Sequence, residues 1–336
     1  MNKRTWLSGL AGLMAAAGAS ATDIDFALDW KFEGPAAPYL MAMERGYYEE
    51  EGLNVSIDSG SGSLEAIPRV ASGTYQLGFA DVNSLIKFRD QNSADLPVKA
   101  IMMTYDAPPF AIVARRSLGV ETPKDLEGKT LGAPATDGAY AQWPIFVEAN
   151  GIDADAVTID NVGFPVREPM LAQGDVDAIT GFSFSSYINL KSKGTPEDDI
   201  VVMLMSDYGV DLYGNAIIVN PAFAQENPEA VEAFIRATLR GWRDTIADPE
   251  AAVQYVLQHN TVAREAVELE RLQMTIADNI LTDYVLENGM GDIDEDRMAN
   301  AIEQIGLTYE YSNKPSVDDI FTDEFLPAME ERMVAP

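Results

Sequence analysis

Aromatic and charged side chains follow the first strand-like run of the chain, in the stretch Asp29-Trp30-Lys31-Phe32-Glu33. Side chains in a turn at the end of a strand are less often buried than those within the strand. Trp30 or Phe32 could therefore stack on a planar ligand, and Glu33 could accept hydrogen bonds from the N–H groups of that ligand. The alternative is that Trp30 caps the local core. Asp29, Trp30 and Glu33 are candidate ligand-binding residues.

A loop of serine and glycine, Ser59-Gly60-Ser61-Gly62-Ser63, precedes a predicted helix. Glycines let the backbone approach a ligand closely, and hydroxyls beside a helix N-terminus suit an anion or a polar carbonyl group. The loop lacks the Gly-Lys-Ser/Thr ending of a P-loop. Ser59, Ser61 and Ser63 are therefore candidate ligand contacts, and a plain flexible cap of the helix is the alternative.

Asp81 follows a predicted strand and precedes another predicted helix. Aspartate at this position favours a helix N-cap, because its carboxylate satisfies free backbone N–H groups. We retain Asp81 as a candidate ligand contact beside that structural role.

Further candidates lie at strand ends in the middle of the chain. Thr136 and Tyr140 belong to a small, polar loop that begins a helix, and Tyr140 or Trp143 could form a second aromatic face or pack into the core. Arg167 lies in a first helical turn, where the macrodipole disfavours a cation. This position suggests a ligand anion or a carboxylate across the cleft, and a surface salt bridge is the alternative. Phe182 follows the next strand.

The net charge of −31 disfavours nucleic acid and anionic membrane surfaces as partners. The simplest interpretation is an adaptation that favours solubility. The chain has no cysteine, which excludes disulfides and thiolate nucleophiles. It has one histidine, His259, which disfavours a Ser-His-Asp triad and a metal site with several histidine ligands. We expect no catalytic residue, no metal and no cofactor.

Residues 1–21 have the pattern of an export signal, with a short basic start, an apolar run and an Ala-x-Ala cleavage motif. Cleavage after Ala21 would leave an exported protein that begins at Thr22. Because no cysteine follows the signal, we expect no lipid anchor and a periplasmic location.

Strand-like and helix-like segments alternate after this signal, which predicts an α/β fold with largely parallel sheets. The pattern breaks at residues 105–109 and 207–214. The simplest topology has lobe one at residues 22–106 and 212–336, with a helical C-terminal region, and lobe two at residues 107–211. Ligand would bind between the lobes, outside the carboxyl ends of the strands.

Several motifs resemble the periplasmic substrate-binding proteins of ABC importers of the SsuA/ThiY type, which bind sulfonates and thiamine precursors. These motifs are LDW at residue 28, ERGYYEEEGLNV, VASGTYQLGFAD, TPKDLEGKTLGAP and MLAQGDVDAITGF. The resemblance spans roughly residues 24–250. It implies a type II periplasmic-binding fold that closes by hinge motion on one small molecule and then docks on a membrane permease with a cytoplasmic ATPase. A monomer is the default for this class.

The LDW start is most similar to the pyrimidine-binding branch, in which an aromatic side chain at the position of Trp30 stacks on the ring. The chain then departs from the Pro-Asn and His that usually follow, since Lys31-Phe32-Glu33-Gly34 stands there. The serine and glycine loop resembles the place where sulfonate binders hold their anion. The resemblance therefore implies a flat heteroaromatic solute, with an aliphatic sulfonate, taurine or another small organic anion as the alternative.

Fungal relatives of this fold are enzymes that make the thiamine pyrimidine from their own histidine and bound pyridoxal phosphate. They need a cysteine-rich motif and an active-site histidine, so the absence of cysteine makes this alternative the least favoured one. We expect a binding protein. In the expected mechanism lobe one engages the solute first and lobe two closes over it, with Asp29, Trp30, Glu33, Ser59, Ser61, Ser63 and Asp81 in lobe one and Thr136, Tyr140, Arg167 and Phe182 in lobe two.

Overall fold

Two five-stranded sheets organise the protein, whose computed structural model describes residues 21–92 and 97–335. The first sheet has the spatial order β2-β1-β3-β10-β4 and consists of β1 (Thr22–Ala27), β2 (Leu53–Asp58), β3 (Leu77–Asp81), β4 (Lys99–Met103) and β10 (Asn215–Val219). The second has the order β7-β6-β8-β5-β9 and consists of β5 (Phe110–Arg115), β6 (Thr130–Gly132), β7 (Thr158–Asp160), β8 (Ala178–Phe182) and β9 (Ile200–Leu204).

Helices connect and cover these strands. The α-helices that precede β9 are α1 (Ala37–Glu44), α2 (Tyr47–Glu50), α3 (Ser63–Ala71), α4 (Val82–Asn92), α5 (Trp143–Asn150), α6 (Phe164–Gln173) and α7 (Ser183–Ser192). The remaining helices are α8 (Pro221–Glu226), α9 (Pro228–Ala247), α10 (Pro249–His259), α11 (Glu265–Thr275), α12 (Asp283–Asn288), α13 (Glu295–Gly306), α14 (Val317–Ile320) and α15 (Met329–Arg332).

The sheets are mixed rather than largely parallel. β1 runs parallel to β2 and β3, whereas β10 runs antiparallel to β3 and β4. In the second sheet β5 runs antiparallel to β8 and β9. The reason is topological: β5 and β10 are the first strands after the two crossings, so each begins at the sheet edge where the parallel strands end.

The three- and four-residue spacing of Leu40, Met43 and Tyr47 predicts one helix over residues 38–49, but the structure has two helices there, α1 and α2. Gly46 separates them with a φ of 74°, a left-handed conformation that glycine adopts without steric cost. The glycine therefore ends the helix and redirects the chain toward β2.

The strands of the first sheet come from residues 22–103 and 215–219, and those of the second come from residues 110–204. We propose that lobe one comprises residues 22–106 and 212–336 and that lobe two comprises residues 107–211. The long helix α9 packs on α1 in lobe one, where a Cβ at Gly241 would stand 2.3 Å from the Pro38 carbonyl oxygen.

The predicted export signal lies outside the described residues except for its last residue, Ala21. Among the residues that the structure describes, no helix combines the length and the apolar character needed to cross a membrane.

Candidate ligand-binding site

A cavity lies between the lobes at the carboxyl ends of the strands, and its empty space is about 700 Å³ when the open mouth is included. Seven aromatic side chains from both lobes line the cavity: Trp30, Tyr39, Phe79, Tyr105, Phe164, Phe182 and Phe184.

Trp30 lines the cavity, half-buried, and contacts lobe two directly. Its ring meets the Phe164 ring edge to face, with 4.8 Å between the centroids. Its indole Nε1 donates to Oε2 of Glu33 at 3.1 Å, which fixes the orientation of the ring. Trp30 therefore contacts lobe two across the cleft instead of only capping the core of lobe one.

Glu33 also lines the cavity. Three polar groups of the described residues contact its Oε2: the Trp30 indole, Arg271 Nη1 at 3.3 Å and Ser185 Oγ at 3.5 Å. Burial raises the pKa of Glu33 above its ordinary value, although the Arg271 charge opposes the rise. The second carboxylate oxygen, Oε1, makes none of these contacts and is the atom suited to accept from a ligand.

Asp29 forms part of the cavity wall and is 6% exposed. Its Oδ2 accepts from Ser63 Oγ and from Asn215 Nδ2, both at 2.7 Å, so its side chain is held from two directions. Burial raises the pKa of Asp29 to about 6, and the two hydrogen bonds only partly offset this. Neither of these bonds uses Oδ1.

Arg167 lines the cavity in lobe two and is 3% exposed. Its Nη2 donates to Glu168 Oε1 at 2.6 Å, and its Nη1 lies 3.5 Å from Asp137 Oδ2. The guanidinium also lies 5.4 Å from the centroid of the Phe164 ring. Arg167 therefore belongs to a buried ion cluster and not to the surface salt bridge that was the alternative, and both carboxylate partners come from its own lobe instead of from across the cleft.

The serine and glycine loop divides at the edge of the cavity. Ser63 and Gly62 line it, whereas Ser59 and Ser61 are exposed and do not. The need for glycine at position 60 is steric, since a Cβ there would stand 2.3 Å from the Leu28 carbonyl oxygen. The loop packs its backbone against the end of β1.

Asp81 is fully buried behind the cavity wall and does not line it. Its Oδ2 accepts from the backbone N–H and the hydroxyl of Ser84, at 2.8 and 2.6 Å, and its Oδ1 accepts from Asn83. These bonds satisfy the first turn of α4, the structural role that its position in the sequence favours.

The candidates from lobe two also divide. Thr136 and Phe182 line the cavity, whereas Tyr140 packs against the core and Trp143 stacks with Phe146 at 6.0 Å between centroids. The aromatic side chain that faces Trp30 is instead Phe164. The sequence could have indicated this role, because Phe164 follows Gly163 at the start of α6, in the turn after β7 at the same sheet edge.

Sequence reasoning did not identify several cavity residues. One is Tyr39, which lies in an apolar helix whose pattern also predicts a place in the core. Two others, Asp137 and Ser185, follow strands in lobe two. Arg271, the ion-pair partner of Glu33, comes from α11 in the C-terminal region. No local pattern connects residues so far apart in the chain.

Helix α11 supports the cavity wall and bridges the lobes. Arg271 forms an ion pair with Glu268 of the same helix and donates through Nη2 to Asn189 Oδ1 of α7 at 2.9 Å. Glu268 accepts from the Gly34 backbone N–H at 2.8 Å. Glu270 pairs with Lys191 at 2.8 Å. The two lobes therefore contact each other through α11 and α7 as well as through two aromatic pairs at the cavity, Trp30 with Phe164 and Tyr105 with Phe184.

A family model described as NMT1/THI5 like matches residues 35–252. The chain is 28% identical over 298 residues to the riboflavin-binding protein RibY of Chloroflexus aurantiacus, which covers 87% of this chain and 82% of that protein. It is 29% identical over 263 residues to the formylaminopyrimidine-binding protein of Halalkalibacterium halodurans, and this match covers 75% of this chain and 76% of that protein. It is 27% identical over 244 residues to the 4-amino-5-hydroxymethyl-2-methylpyrimidine phosphate synthase of Aspergillus parasiticus, covering 70% of each.

Among solved structures, the fold is similar to that of the periplasmic aliphatic sulphonate binding protein SsuA of Escherichia coli. The TM-score is 0.71 at 12% identity, over 92% of this chain and all of that one. The predicted fold class, the α/β architecture of periplasmic binding proteins, is confirmed.

Proposed function

We propose that this chain, which belongs to the NMT1/THI5-like family, is the solute-binding component of an ABC importer and captures a small, flat heteroaromatic solute between its lobes. The observation that carries the proposal is the aromatic cavity, in which Trp30 of lobe one and Phe164 of lobe two meet across the cleft at 4.8 Å. Rings from both sides could enclose a flat solute only when the lobes close.

The mechanism follows from how the contacts are distributed. Lobe one offers Trp30 for stacking and the free oxygens of Asp29 and Glu33 for hydrogen bonds, and lobe two offers Phe164 and Phe182. A solute that contacts both lobes stabilises the closed state, because binding shifts the population toward the state it contacts best. A membrane permease with its cytoplasmic ATPase would then recognise the closed form, acting on a monomer in the periplasm.

The names of the relatives support a heterocyclic solute, since one is a riboflavin-binding and another a formylaminopyrimidine-binding protein. The charges of the cavity disfavour the sulfonate alternative. Arg167, the buried cation of the cavity wall, is already paired with Glu168 and Asp137, and Ser59 and Ser61 lie outside the cavity.

A synthase activity has little support in the cavity. The chain has one histidine, His259, which lies at the end of α10 and is 2.8 Å from Glu44, away from the cavity-lining residues. Within the described residues no group of three or more histidine, cysteine, aspartate or glutamate side chains is placed to hold a metal ion.

A thermal-shift screen of the secreted protein tests the proposal. The panel comprises aminopyrimidines, riboflavin, pyridine derivatives, taurine, other sulfonates, and nitrate. A ligand present at about 100 times its Kd adds roughly 2.7 kcal/mol to the stability of the folded state, so micromolar binders raise the melting temperature measurably. We expect rises with flat heterocycles. Rises confined to sulfonates would replace this function by the sulfonate alternative.

A further inference from the structure

Charged side chains in the cavity are mostly acidic. Asp29, Glu33 and Asp137 line it, against Lys31 and Arg167. Lys31 is exposed at the mouth, where its Nζ lies 5.2 Å from the centroid of the Trp30 ring and water screens its charge. The interior of the cavity therefore contains more carboxylates than cations.

The cations near the interior are already committed to carboxylates. Arg167 is paired with Glu168 and Asp137, and Arg271 is paired with Glu268 and lies 3.3 Å from Glu33. When these partners are included, the described residues supply five carboxylates and three cations at the cavity. An anionic ligand would find no free buried cation among them.

Burial opposes the ionisation of three of these carboxylates. Burial raises the pKa of Asp29, Glu33 and Asp137, and their hydrogen bonds and the nearby arginines do not cancel the rise. A carboxylate in this condition is stabilised in its charged form by any added cation.

The aromatic side chains of the cavity suit the same kind of ligand. The face of an aromatic ring carries partial negative charge and attracts cations, best when the ring is Trp and the site is desolvated. Trp30 and Phe164 form one edge-to-face pair, and Phe182 and Phe184 form another with 5.9 Å between centroids. Rings together with carboxylates are the usual means of holding an organic cation.

Building on the proposed function, we infer that the captured solute is a cation, a flat heteroaromatic ring that is positively charged through N-alkylation or protonation. The ring faces enclose its π-system. Asp29 Oδ1 and Glu33 Oε1 face its positive charge, because the side-chain hydrogen bonds that these two lining carboxylates make with the described residues use Asp29 Oδ2 and Glu33 Oε2. The excess of carboxylates at the cavity is then neutralised on binding.

The pH dependence follows from Asp29 and its neighbours. Ser63 of α3 and Asn215 of β10 donate to Asp29, Asp81 of β3 adds a like charge, and Tyr39 and Tyr105, whose pKa values are raised by burial, stay neutral. Since the pKa of Asp29 is about 6, its proton is lost as the pH rises through that value. Affinity for a cation should therefore increase from pH 5 to pH 7 and then level off.

Isothermal titration calorimetry with a matched set of pyridines tests the inference. The probes are 1-methylnicotinamide, a cation; nicotinamide, which is neutral; nicotinate, an anion; and 1-methyl-2-pyridone-5-carboxamide, which keeps the N-methyl group without the charge. We expect the cation to bind about tenfold or more tightly than both neutral probes, and nicotinate to bind most weakly.

A pair of variants separates the charge from the shape of the cavity. In Asp29→Asn the side chain can still accept from Ser63 and Asn215, and we expect the preference for the cation over the neutral probes to fall about tenfold. Asp155→Asn, which neutralises an exposed carboxylate of lobe two, should leave the preference as it is. If Asp29→Asn does not fold, the pH series on the unmodified protein supplies the same test.

The outcomes distinguish this inference from the proposed function. Neutral probes that bind as tightly as the cation, or a preference for nicotinate, would overturn the inference and leave heteroaromatic capture standing. Failure of every heteroaromatic compound, in this set and in the wider screen, would overturn both.

Discussion

Trp30 is the side chain on which the proposed recognition depends most, because it lines the cavity and its ring contacts Phe164 of lobe two. We expect Trp30→Ala to weaken binding of the best heteroaromatic compound in the screen by about 1–3 kcal/mol, since stacking area is lost, without unfolding the protein. Titration calorimetry measures the change.

Phe32→Ala provides the matched control for that variant. Phe32 is two residues away, but its ring packs against the His259 ring with 5.7 Å between centroids and does not line the cavity. Its loss should therefore leave the affinity for the same compound nearly unchanged. Equal affinities in Trp30→Ala and the unmodified protein would remove Trp30 from the site.

Arg167 should prove essential for stability. Arg167→Met leaves Glu168 and Asp137 buried without their cation, which costs about 3–5 kcal/mol of unfolding free energy in comparable buried pairs. Urea denaturation measures the loss. Arg116→Met, which breaks an exposed pair with Glu121, is the control and should change little.

The loss in Arg167→Met should be smaller at pH 5 than at pH 8. Burial already raises the pKa of Asp137, and removing the cation raises it further. Between pH 8 and pH 5 the native state of the variant then binds more protons than its unfolded state, so the stability of the variant rises as the pH falls. A variant as stable as Arg116→Met at pH 8 would contradict the buried-cluster assignment.

Residue types at strand ends predicted many of the residues that line the cavity, but not the hydrogen-bond and ion-pair partners of each side chain. Asp29, Trp30, Glu33, Ser63 and Phe182 could be placed there because the carboxyl ends of parallel strands converge at one edge. The role of Arg167 could not, because its partner Asp137 becomes a neighbour only when the loop after β6 folds against α6.

At the scale of elements, the contact between α11 and the turn after β1 is the least expected feature of the site. A Cβ at Gly34 would stand 2.3 Å from the Glu268 carbonyl oxygen and 2.8 Å from the Leu272 backbone nitrogen. We expect Gly34→Ala to destabilise the protein by about 1–3 kcal/mol through overpacking, measured by urea denaturation.

Gly163→Ala is the control for that substitution. Gly163 has a φ of −80°, and the nearest atom to its added Cβ would be Pro165 Cδ at 3.7 Å, an ordinary contact. The two variants should therefore differ clearly in their urea midpoints, and equal midpoints would show that α11 can move away from the turn at little cost.

The alternation of apolar segments predicted which elements exist, and local chemistry decided their bounds and directions. The split of one predicted helix into α1 and α2 follows from the left-handed Gly46. The antiparallel directions of β5 and β10 follow from the crossings between lobes, which hydrophobic periodicity does not report.

At the scale of the whole molecule, the charge of −31 should reduce stability through repulsion between acidic side chains. Screening weakens this repulsion, so we expect the melting temperature to rise by several degrees between about 0.05 M and 1 M NaCl. Potassium chloride at equal ionic strength should give the same rise, because screening does not depend on the identity of the cation. A melting temperature that stays constant would contradict this account.

The division into two lobes stays a prediction, based on the two breaks in the pattern that bracket the middle segment of the chain. What could not be predicted is that α11 brings Arg271 to Glu33, since only packing of the complete chain creates that neighbourhood. The cavity is in this sense a property of the whole molecule, although most of its aromatic and acidic side chains are visible at strand ends.

The most direct test of the account is a crystal structure of residues 22–336 with the heteroaromatic compound that most raises the melting temperature. We predict that the compound lies between the lobes, stacked on Trp30, with Asp29 Oδ1 or Glu33 Oε1 bonded to its polar or charged edge. A compound bound outside this cavity, or one that contacts neither Trp30 nor these carboxylates, would contradict the account.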